Sequence, residues 1–386
     1  MVSNHHAKWL AIAGATAMFV AGCSLTGSPP PKSPAPVKHV TNATRKAAKT
    51  ASKDLTKTKT ATPKSKATAL KVIAFYDPTM SSVAPDPFQL LKAHPGLVTY
   101  LAPFWYEVSA TGSIISKPEG NAPQLAAQQH LPLVPLFNNA AGSDGMLATS
   151  ATRHTAVSNI VHLVMSHNYA GVNIDFQMLK PTDAPLLVKF MDDLKVAMPK
   201  GKFISMSVVP LSNANGPASA YNYSALDKVV NAMVLMAYDL HSNGTSPGPV
   251  SPYSWVSQSI ARAISAGVSP SKLYLGIANY GYLWTAGSTK ATTIPLKVMY
   301  QHKYGAYVWN PTYKEAYDTY TSGGVKHIIW FVSDRAAKDR IQLAEKYHLA
   351  GVAFWRIGYE DAKWWNVVAK ALKTPSNKTT PQTAAK

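Results

Sequence analysis

The chain of 386 residues has a single cysteine, Cys23, which excludes an internal disulfide and any site built from several cysteine ligands. None of its twelve histidines lies four residues from another, so the His-x-x-x-His and His-Glu-x-x-His spacings of zinc sites do not occur. No Gly-x-Gly-x-x-Gly run follows an early strand-like segment, which argues against a dinucleotide-binding fold. We therefore predict no metal site and no cofactor.

Acidic residues are scarce, since 19 Asp and Glu stand against 38 Lys and Arg, for a formal net charge of +19. Much of the excess lies in the flanks: residues 24–69 contain ten basic residues and one acidic residue, Asp54, and residues 373–386 add three lysines. Residues 70–372, with 24 basic and 18 acidic residues, are closer to balance. The body is therefore not a basic DNA-binding surface, and we predict no nucleic-acid partner.

The sequence also lacks an apolar run long enough to cross a bilayer. The run Trp9–Gly22 has roughly 14 residues, too few for a hydrocarbon core of about 30 Å, but suited to the core of a signal peptide. Val20, Ala21 and Gly22 precede Cys23 as in the cleavage box of a bacterial lipoprotein. We predict a signal peptide over 1–23, lipidation at Cys23, and an exported protein anchored to the cell membrane, facing the cell envelope or the extracellular space. An ordinary leader with a free thiol is the alternative.

Residues 24–69 are rich in Lys, Pro, Thr and Ala and predict a disordered linker, because they cannot bury enough apolar surface to fold. A disordered tail is predicted over 373–386. The cations of the linker fit attraction to an anionic cell-wall polymer or to lipid head groups, or they serve solubility and spacing alone.

From Leu70 to Leu372, apolar strand-like runs alternate with helical patterns. Eight such alternations over about 300 residues predict an α/β fold, a closed (β/α)8 TIM barrel, with an open doubly wound sheet as the alternative. The strand candidates are 71–76, 98–104, 131–137, 171–176, 203–209, 232–238, 273–277 and 351–355.

Between the seventh and eighth strands, the pattern loosens into an aromatic, Thr-rich insert over about 281–325. An extra strand over 327–332 and a helix from about 334 to 347 follow it. The insert is predicted either to line one wall of a cleft or to cover the barrel as a structural element.

The stretch Ala170–Gln177 stands at the centre of the predicted barrel. Asn173, Asp175 and Gln177 alternate with apolar residues, so a strand here would direct its polar side chains to one side. A buried polar group needs hydrogen-bond partners. These three side chains are therefore either bonded to other protein groups inside the sheet or part of a ligand-binding or active site.

Active sites of such barrels lie at the C-terminal ends of the strands, and these ends carry aromatic, carboxylate and amide side chains. Aromatic rings can stack on the apolar faces of a sugar while carboxylates and amides bind its hydroxyl and acetamido groups. The candidate site residues are Tyr76, Glu107, Asn138, Asn173, Asp175, Gln177, Tyr238, Asp239 and Trp355.

Five segments of the chain, which follow one another in the order that the family shows, resemble glycoside hydrolase family 18. Within that family they resemble the bacterial N-acetylglucosaminidases directed at spore cortex and peptidoglycan. The strong matches are Gly171–Phe176, Met236–Asp239 and Gly351–Asp361, and the weaker ones are Leu101–Val108 and His327–Phe331. The resemblance implies a retaining reaction in which the substrate's own acetamido group attacks the anomeric carbon, outside the usual scheme of two enzyme carboxylates. It also implies a partner that contains N-acetylglucosamine, of the peptidoglycan or chitin type.

Carried over by position, the resemblance implies that Asp175 orients the acetamido group, Tyr238 hydrogen-bonds its carbonyl, Asp239 contacts substrate and Trp355 forms the floor of the sugar subsite. It also implies a glutamate as general acid where this chain has Gln177, and an aspartate where it has Ala170.

An amide has no proton to give, so Gln177 can hold a glycan but cannot serve as the acid. We favour a surface-anchored glycan-binding protein with weak or no hydrolysis. The alternative is an active hydrolase in which Glu107, Asp239 or Glu360 supplies the proton. A purely structural spacer is the third class.

Overall fold

The structure, a computed structural model, describes residues 69–77, 87–119, 122–211, 220–302 and 307–373. The predicted signal peptide, the lipidation site Cys23, nearly all of the linker and nearly all of the tail lie outside the described residues. Among the described residues, no helix combines the length and the apolar character needed to cross a membrane.

The elements follow in chain order as β1 (Lys71–Tyr76), α1 (Pro87–Lys92), β2 (Tyr100–Val108), β3 (Ile114–Ser116), α2 (Ala122–Gln128), β4 (Leu136–Asn139), α3 (Gly145–Ala148), α4 (Ser150–Ser166), β5 (Gly171–Asp175), α5 (Ala184–Ala197), β6 (Phe203–Val208), α6 (Tyr223–Val229), β7 (Ala232–Leu235), α7 (Tyr253–Ser265), β8 (Leu273–Ala278), β9 (Tyr280–Thr285), β10 (Ala291–Pro295), α8 (Leu296–His302), β11 (Val308–Asn310), β12 (Glu315–Ser322), β13 (Val325–Phe331), α9 (Asp334–Lys346), β14 (Gly351–Trp355) and α10 (Ala362–Lys373).

Eight of these strands form a closed parallel barrel. Around the barrel the order is β1, β2, β4, β5, β6, β7, β8 and β14, and β1 pairs with both β2 and β14 to complete the ring. All eight strands are parallel to their barrel neighbours, and helices follow them along the chain. The predicted (β/α)8 barrel is confirmed.

The barrel strands are buried on both faces, which explains why most of their residues are apolar. One set of side chains packs inside the barrel, and the alternate set, including Val72 and Ala74 of β1, packs beneath the helices. The apolar members of the inner set are Ile73, Phe75, Ala102, Val134, Leu136, Ala232, Val234, Tyr274 and Ala353.

Several predicted strand ends were wrong, and local backbone chemistry explains them. The third barrel strand, β4, begins at Leu136 instead of residue 131, because Pro132 and Pro135 have no N–H to give to a neighbouring strand. The sixth, β7, ends at Leu235, since the chain turns there and the Tyr238 N–H donates to the carbonyl of Met236. The second, β2, continues to Val108, where it pairs with β3.

The insert is larger and more regular than predicted. An antiparallel sheet in the order β10, β9, β13, β12 and β11 runs from Tyr280 to Phe331, with α8 inside the same stretch. The strand predicted separately at 327–332 is β13 of this sheet, which begins at Val325. In β9, the aromatic residues Tyr280, Tyr282 and Trp284 take alternate positions of the strand. The helix predicted after β13, α9, begins at Asp334, and Ser333 caps its N-terminus.

Candidate functional site

The candidate site lies at the C-terminal mouth of the barrel, where three neighbouring strands place polar residues side by side. Glu107 on β2 is in register with Asn138 on β4, and Asn138 is in register with Asp175 on β5. An irregularity between Phe104 and Tyr106 shifts the register of β2, so that Glu107 shares the orientation of Asn138. The Asn138 side chain is half-buried, and its Oδ1 has no hydrogen-bond partner within the described part of the chain.

Asp175 is the most central carboxyl group of this mouth. Only 7% of its surface is exposed, and the Gln177 amide nitrogen lies 2.9 Å from Asp175 Oδ1 and 3.1 Å from Oδ2. Burial raises the pKa of Asp175 to about 6, and the hydrogen bond from Gln177 opposes that rise. Gln177 therefore acts here as a donor that stabilises the ionised form of Asp175.

Asn139 holds the backbone of Gln177 in place. The Gln177 N–H donates to Asn139 Oδ1 at 2.8 Å, and Asn139 Nδ2 donates back to the Gln177 carbonyl at 2.7 Å. The Gln177 amide also lies 3.7 Å from the sulfur of Met236, just beyond β7. Asn139 is not among the predicted site residues, although its place beside Asn138 at a strand end is a signal in the sequence.

Asn173 lies inside the barrel beneath Asp175 and does not reach the mouth. It is fully buried, and its Nδ2 donates to Ser205 Oγ at 2.9 Å while its Oδ1 accepts from Ser207 Oγ at 3.1 Å. Both ends of the amide are thus occupied by β6. The row of alternating polar residues therefore extends below the accessible surface, and contact of Asn173 with substrate stays a prediction.

Tyr238 and Asp239 follow β7 and lie half-buried on the other side of the mouth from Asn138. Asp239 Oδ1 accepts hydrogen bonds from the hydroxyls of Tyr280 at 2.6 Å and Tyr282 at 3.0 Å, both on β9. Burial raises the pKa of Asp239 to about 6, although these two hydroxyls oppose the rise. Burial also raises the pKa of Tyr238 well above its usual value, and the nearby carboxyl group of Asp175 adds to the effect.

The approach of Tyr238 to the barrel wall depends on Gly276 of β8. A Cβ added at Gly276 would lie 2.7 Å from the Leu235 carbonyl and 3.0 Å from Cε1 of the Tyr238 ring. Asp239 itself has a φ of 62°, the left-handed conformation that Asp and Asn tolerate better than most residues. Both features fix the turn that presents the two side chains.

Trp355, the last residue of β14, is half-buried, and the peptide bond that joins it to Arg356 is cis. Its ring lies 5.5 Å from that of Phe75, which points into the barrel. Tyr76, predicted to bind substrate, packs instead against Phe88 of α1, with ring centres 5.4 Å apart. Successive side chains of a strand alternate, so Phe75 takes the inner position, and contact of Tyr76 with substrate stays a prediction.

Glu107 forms an ion pair with Lys117, a residue that is not among the predicted site residues. Lys117, which follows β3, lies with its ammonium 2.9 Å from Glu107 Oε1 and 3.3 Å from the centre of the Phe104 ring. The turn between β2 and β3, with Gly112 at a positive φ, brings the two residues together. A hairpin predicted over 105–117 would have revealed the pair.

Glu360, one of the candidate proton donors, is fully buried. It accepts hydrogen bonds from Asn279 Nδ2 at 2.7 Å, Trp365 Nε1 at 2.9 Å and the Gly358 N–H at 3.1 Å. Burial raises its pKa to about 7. Glu360 thus supports the segment that follows Trp355, and its complete burial and three hydrogen-bond partners do not suit it to protonate a ligand.

The mouth therefore combines an aromatic surface, one buried and one half-buried carboxyl group, two amides and a half-buried phenol. These groups can stack on a ring and form several hydrogen bonds with hydroxyl and amide groups. Within the described ranges, no three His, Cys, Asp or Glu side chains are grouped so that they could hold a metal ion.

Two curated bacterial proteins resemble the chain over much of its length. The putative sporulation-specific glycosylase YdhD of Bacillus subtilis (strain 168) is 27% identical over 234 residues, 57% of this chain and 54% of that protein. The cortical fragment-lytic enzyme of Bacillus cereus is 23% identical over 327 residues, 80% of this chain and 76% of that enzyme. The chain thus spans about half the length of YdhD and about three quarters of the cortical enzyme.

A solved structure has the same fold. The crystal structure of the Bacillus cereus spore cortex-lytic enzyme SleL matches with a TM-score of 0.70 and 22% identity, over 80% of this chain and 76% of that one. The sequence profile of glycosyl hydrolases family 18 matches residues 137–360, which include the mouth from Asn138 to Trp355. The chain belongs to glycosyl hydrolases family 18.

Proposed function

We propose that the chain binds a glycan containing N-acetylglucosamine at the mouth of its barrel and hydrolyses it weakly or not at all. Asp175 would accept the acetamido N–H, Tyr238 would donate to the acetamido carbonyl, and Trp355 would stack beneath the sugar. Trp355 and Asp239 are half-buried, so part of each side chain is open to a ligand.

The observation that carries this proposal is the pair formed by Gln177 and Asp175. Gln177 stands where the family resemblance implies the general acid, and its amide donates toward both oxygens of Asp175. An amide at this point can orient the carboxylate, but it cannot protonate a glycosidic oxygen. Loss of a positioned acid typically lowers the rate by about 10²- to 10⁴-fold.

A second candidate, an active hydrolase, is favoured by one feature of Asp239. This carboxyl group lies in the mouth, and its pKa of about 6 leaves part of it protonated in mildly acidic solution. Glu107 is less suited to the role because Lys117 pairs with its carboxylate. The hydroxyls of Tyr280 and Tyr282 both donate to Oδ1 of Asp239, so Oδ2 is the oxygen that these two hydroxyls do not contact.

The relatives support a substrate of the peptidoglycan type. The cortical fragment-lytic enzyme and SleL are both named for lysis of spore cortex material, and YdhD is named as sporulation-specific. Other similar proteins are named as chitinases, including Chitinase C of Streptomyces lividans. Both groups of names agree with a polymer of N-acetylated amino sugars, and we propose peptidoglycan as the first ligand to test.

We also propose that the chain is exported and held at the membrane by acyl chains on Cys23. The support is the apolar run Trp9–Gly22 and the small residues before Cys23. Metabolic labelling with a fatty acid tests this, because the label should enter the wild type and be absent from Cys23→Ser. Equal labelling of the two proteins would contradict it.

Retention on insoluble peptidoglycan, measured together with release of reducing ends, tests the proposed function. The wild type should be retained and release few or no reducing ends, whereas Trp355→Ala should lose at least tenfold in affinity because a stacking surface is removed. Tyr347→Ala is the matched control, since Tyr347 lies at the end of α9, at the opposite end of the barrel. Circular dichroism would verify that both variants fold.

Two results would contradict the proposal. Rapid release of reducing ends by the wild type that disappears in Asp239→Asn would favour the hydrolase. Absence of retention, or equal retention of wild type and Trp355→Ala, would favour a structural role.

A further inference from the structure

The end of the barrel opposite the mouth carries a concentrated positive charge. We define the basic pole as the last turns of the surrounding helices, the connections from these helices to the barrel strands, and the first residue of each strand. Its cations are Lys71, Lys92, Lys195, Lys200, Lys202, Lys228, Arg262, Lys272, Lys346, Lys370 and Lys373.

Acidic residues are nearly absent from the basic pole. Ten of the 24 basic residues of segment 70–372 lie in it, but only two of the 18 acidic ones, which leaves 14 basic and 16 acidic residues for the rest of that segment. One of the two, Asp227, accepts hydrogen bonds from the Ser269 N–H and hydroxyl and faces Lys272 at 3.9 Å. The other is Glu345. The positive charge of the body therefore belongs to one end of the barrel.

Compensation of helix dipoles does not explain the whole pattern. Cations near helix C-termini are generally favourable, which suffices for residues such as Lys92 and Lys346. Lys71, Lys200 and Lys202, however, lie in connections or at a strand start, outside any helix. The basic pole thus has more cations than favourable interactions with helix C-termini explain.

Two apolar side chains protrude from the same pole. Met165 is 51% exposed and Val196 is 86% exposed, and they lie in the last turns of α4 and α5, helices that pack against each other. Lys195 adjoins Val196 in sequence, and Lys200 follows a few residues later. Exposed apolar groups among lysines suit the boundary of a bilayer, where lysines meet phosphates and the apolar groups enter the acyl region. A soluble polyanion would make no use of them.

We propose that the basic pole is a membrane-facing surface that binds an anionic phospholipid bilayer. Ala69, just before β1, and Lys373, at the end of α10, both lie at this pole, so the two lysine-rich flanks join the barrel on the same side. The mouth opens at the other end. A barrel bound in this way presents its glycan site away from the membrane, whether or not Cys23 is acylated.

The full chain carrying Cys23→Ser, which cannot be acylated at that position, is the protein to test by cosedimentation with vesicles. It should bind vesicles of equal parts phosphatidylglycerol and phosphatidylcholine more tightly than vesicles of phosphatidylcholine alone. Each lysine near such a surface contributes roughly fivefold to affinity, so the triple variant Lys200→Gln, Lys228→Gln, Lys346→Gln should bind at least tenfold more weakly.

The matched control replaces three exposed lysines outside the pole, Lys290→Gln, Lys326→Gln and Lys338→Gln, and keeps every flank lysine. This control should bind vesicles as the parent protein does. Equal losses in the two triple variants, or no loss in either, would overturn the proposal, because binding would then follow total charge or the flanks.

A second pair of measurements separates a bilayer from a soluble polymer. Met165→Ser combined with Val196→Ser should weaken vesicle binding several-fold and leave binding to soluble poly(glycerol phosphate) unchanged. If this double variant binds vesicles normally while the pole variant loses polymer binding, the pole is a polyanion site and the membrane proposal is wrong.

Discussion

At the scale of single residues, the mouth of the barrel pairs a buried carboxyl group with an amide. Gln177 neutralises no charge and carries no mobile proton, yet it donates toward both oxygens of Asp175 while Asn139 fixes its backbone. A glutamate at the same place would be a second buried acid beside Asp175, and the two groups would share a proton. The amide therefore favours a stable binding arrangement over acid catalysis.

The raised pKa of Asp239 predicts how the free energy of unfolding changes with pH. Its value of about 6 exceeds the 3.8 of an unperturbed Asp, so between about pH 4 and 6 the folded chain keeps a proton that the unfolded chain has lost. Stability from this group is therefore present at low pH and is lost as the pH rises through 6. From pH 4 to 7, the free energy of unfolding of wild type relative to Asp239→Asn should fall by about 1 to 3 kcal/mol, allowing for partial solvent screening.

Denaturant unfolding of wild type and Asp239→Asn at several pH values measures this difference. Asn tolerates the positive φ at this position, so the backbone itself adds little to the comparison. Asp144→Asn is the control, because a hydrogen bond from Lys180 holds the pKa of that surface carboxyl below its usual range. A difference between wild type and Asp239→Asn that does not change with pH would show that Asp239 titrates normally.

At the scale of secondary-structure elements, a buried ion pair joins the insert to the barrel. Glu315 of β12 and Arg340 of α9 are both fully buried, with Oε1 and Nη2 3.2 Å apart. Glu315 also accepts from the Val250 and Ser251 N–H groups, in the loop that follows β7 and Asp239. The pair thus fixes the insert, α9 and this loop relative to one another.

Removing Arg340 should leave the Glu315 carboxylate buried without an opposite charge. Arg340→Met is expected to destabilise the chain by about 3 to 5 kcal/mol, and adding Glu315→Leu should recover part of that loss. Thermal or denaturant unfolding of the single and double variants would measure both values. A cost below about 1 kcal/mol for Arg340→Met would show that the pair does not hold these elements together.

The sequence predicted the elements better than their ends. Continuous apolar runs identified all eight barrel strands, because a parallel strand is buried on both faces. The ends depended on features that periodicity does not report, such as the prolines before β4 and the turn after Leu235. The insert was underestimated because its strands, such as Val308–Asn310 and Ala291–Pro295, are short and lack a continuous apolar run, so their pairing was not evident from the sequence.

At the scale of the whole molecule, the site joins residues that lie far apart in sequence but at one end of the barrel. Most of these residues could be predicted to lie together, because they follow the C-terminal ends of parallel strands, which all lie at one end of the barrel. Alternation within a strand decided the exceptions: Phe75 takes the place expected for Tyr76, and Asn173 lies below the mouth. Lys117 could not be placed without the β2–β3 hairpin, and Glu360 proved to be a support for the segment after Trp355.

The two ends of the barrel also differ in charge and in the groups that they carry. The mouth carries the glycan-binding candidates, whereas the basic pole carries most of the excess positive charge of the body. A protein bound to an anionic membrane by that pole would hold a wall polymer at the other end. This arrangement suits a binding protein more directly than a diffusing lytic enzyme.

The central claim, that Gln177 makes this barrel a binder, is tested most directly by the initial rate of reducing-end release from peptidoglycan by wild type and Gln177→Glu. Under the proposed function, the wild type binds peptidoglycan with little or no release, and Gln177→Glu releases reducing ends at least 100-fold faster, in line with the typical effect of a positioned acid of about 10² to 10⁴. Rapid release by the wild type, unchanged or reduced in Gln177→Glu, would contradict it.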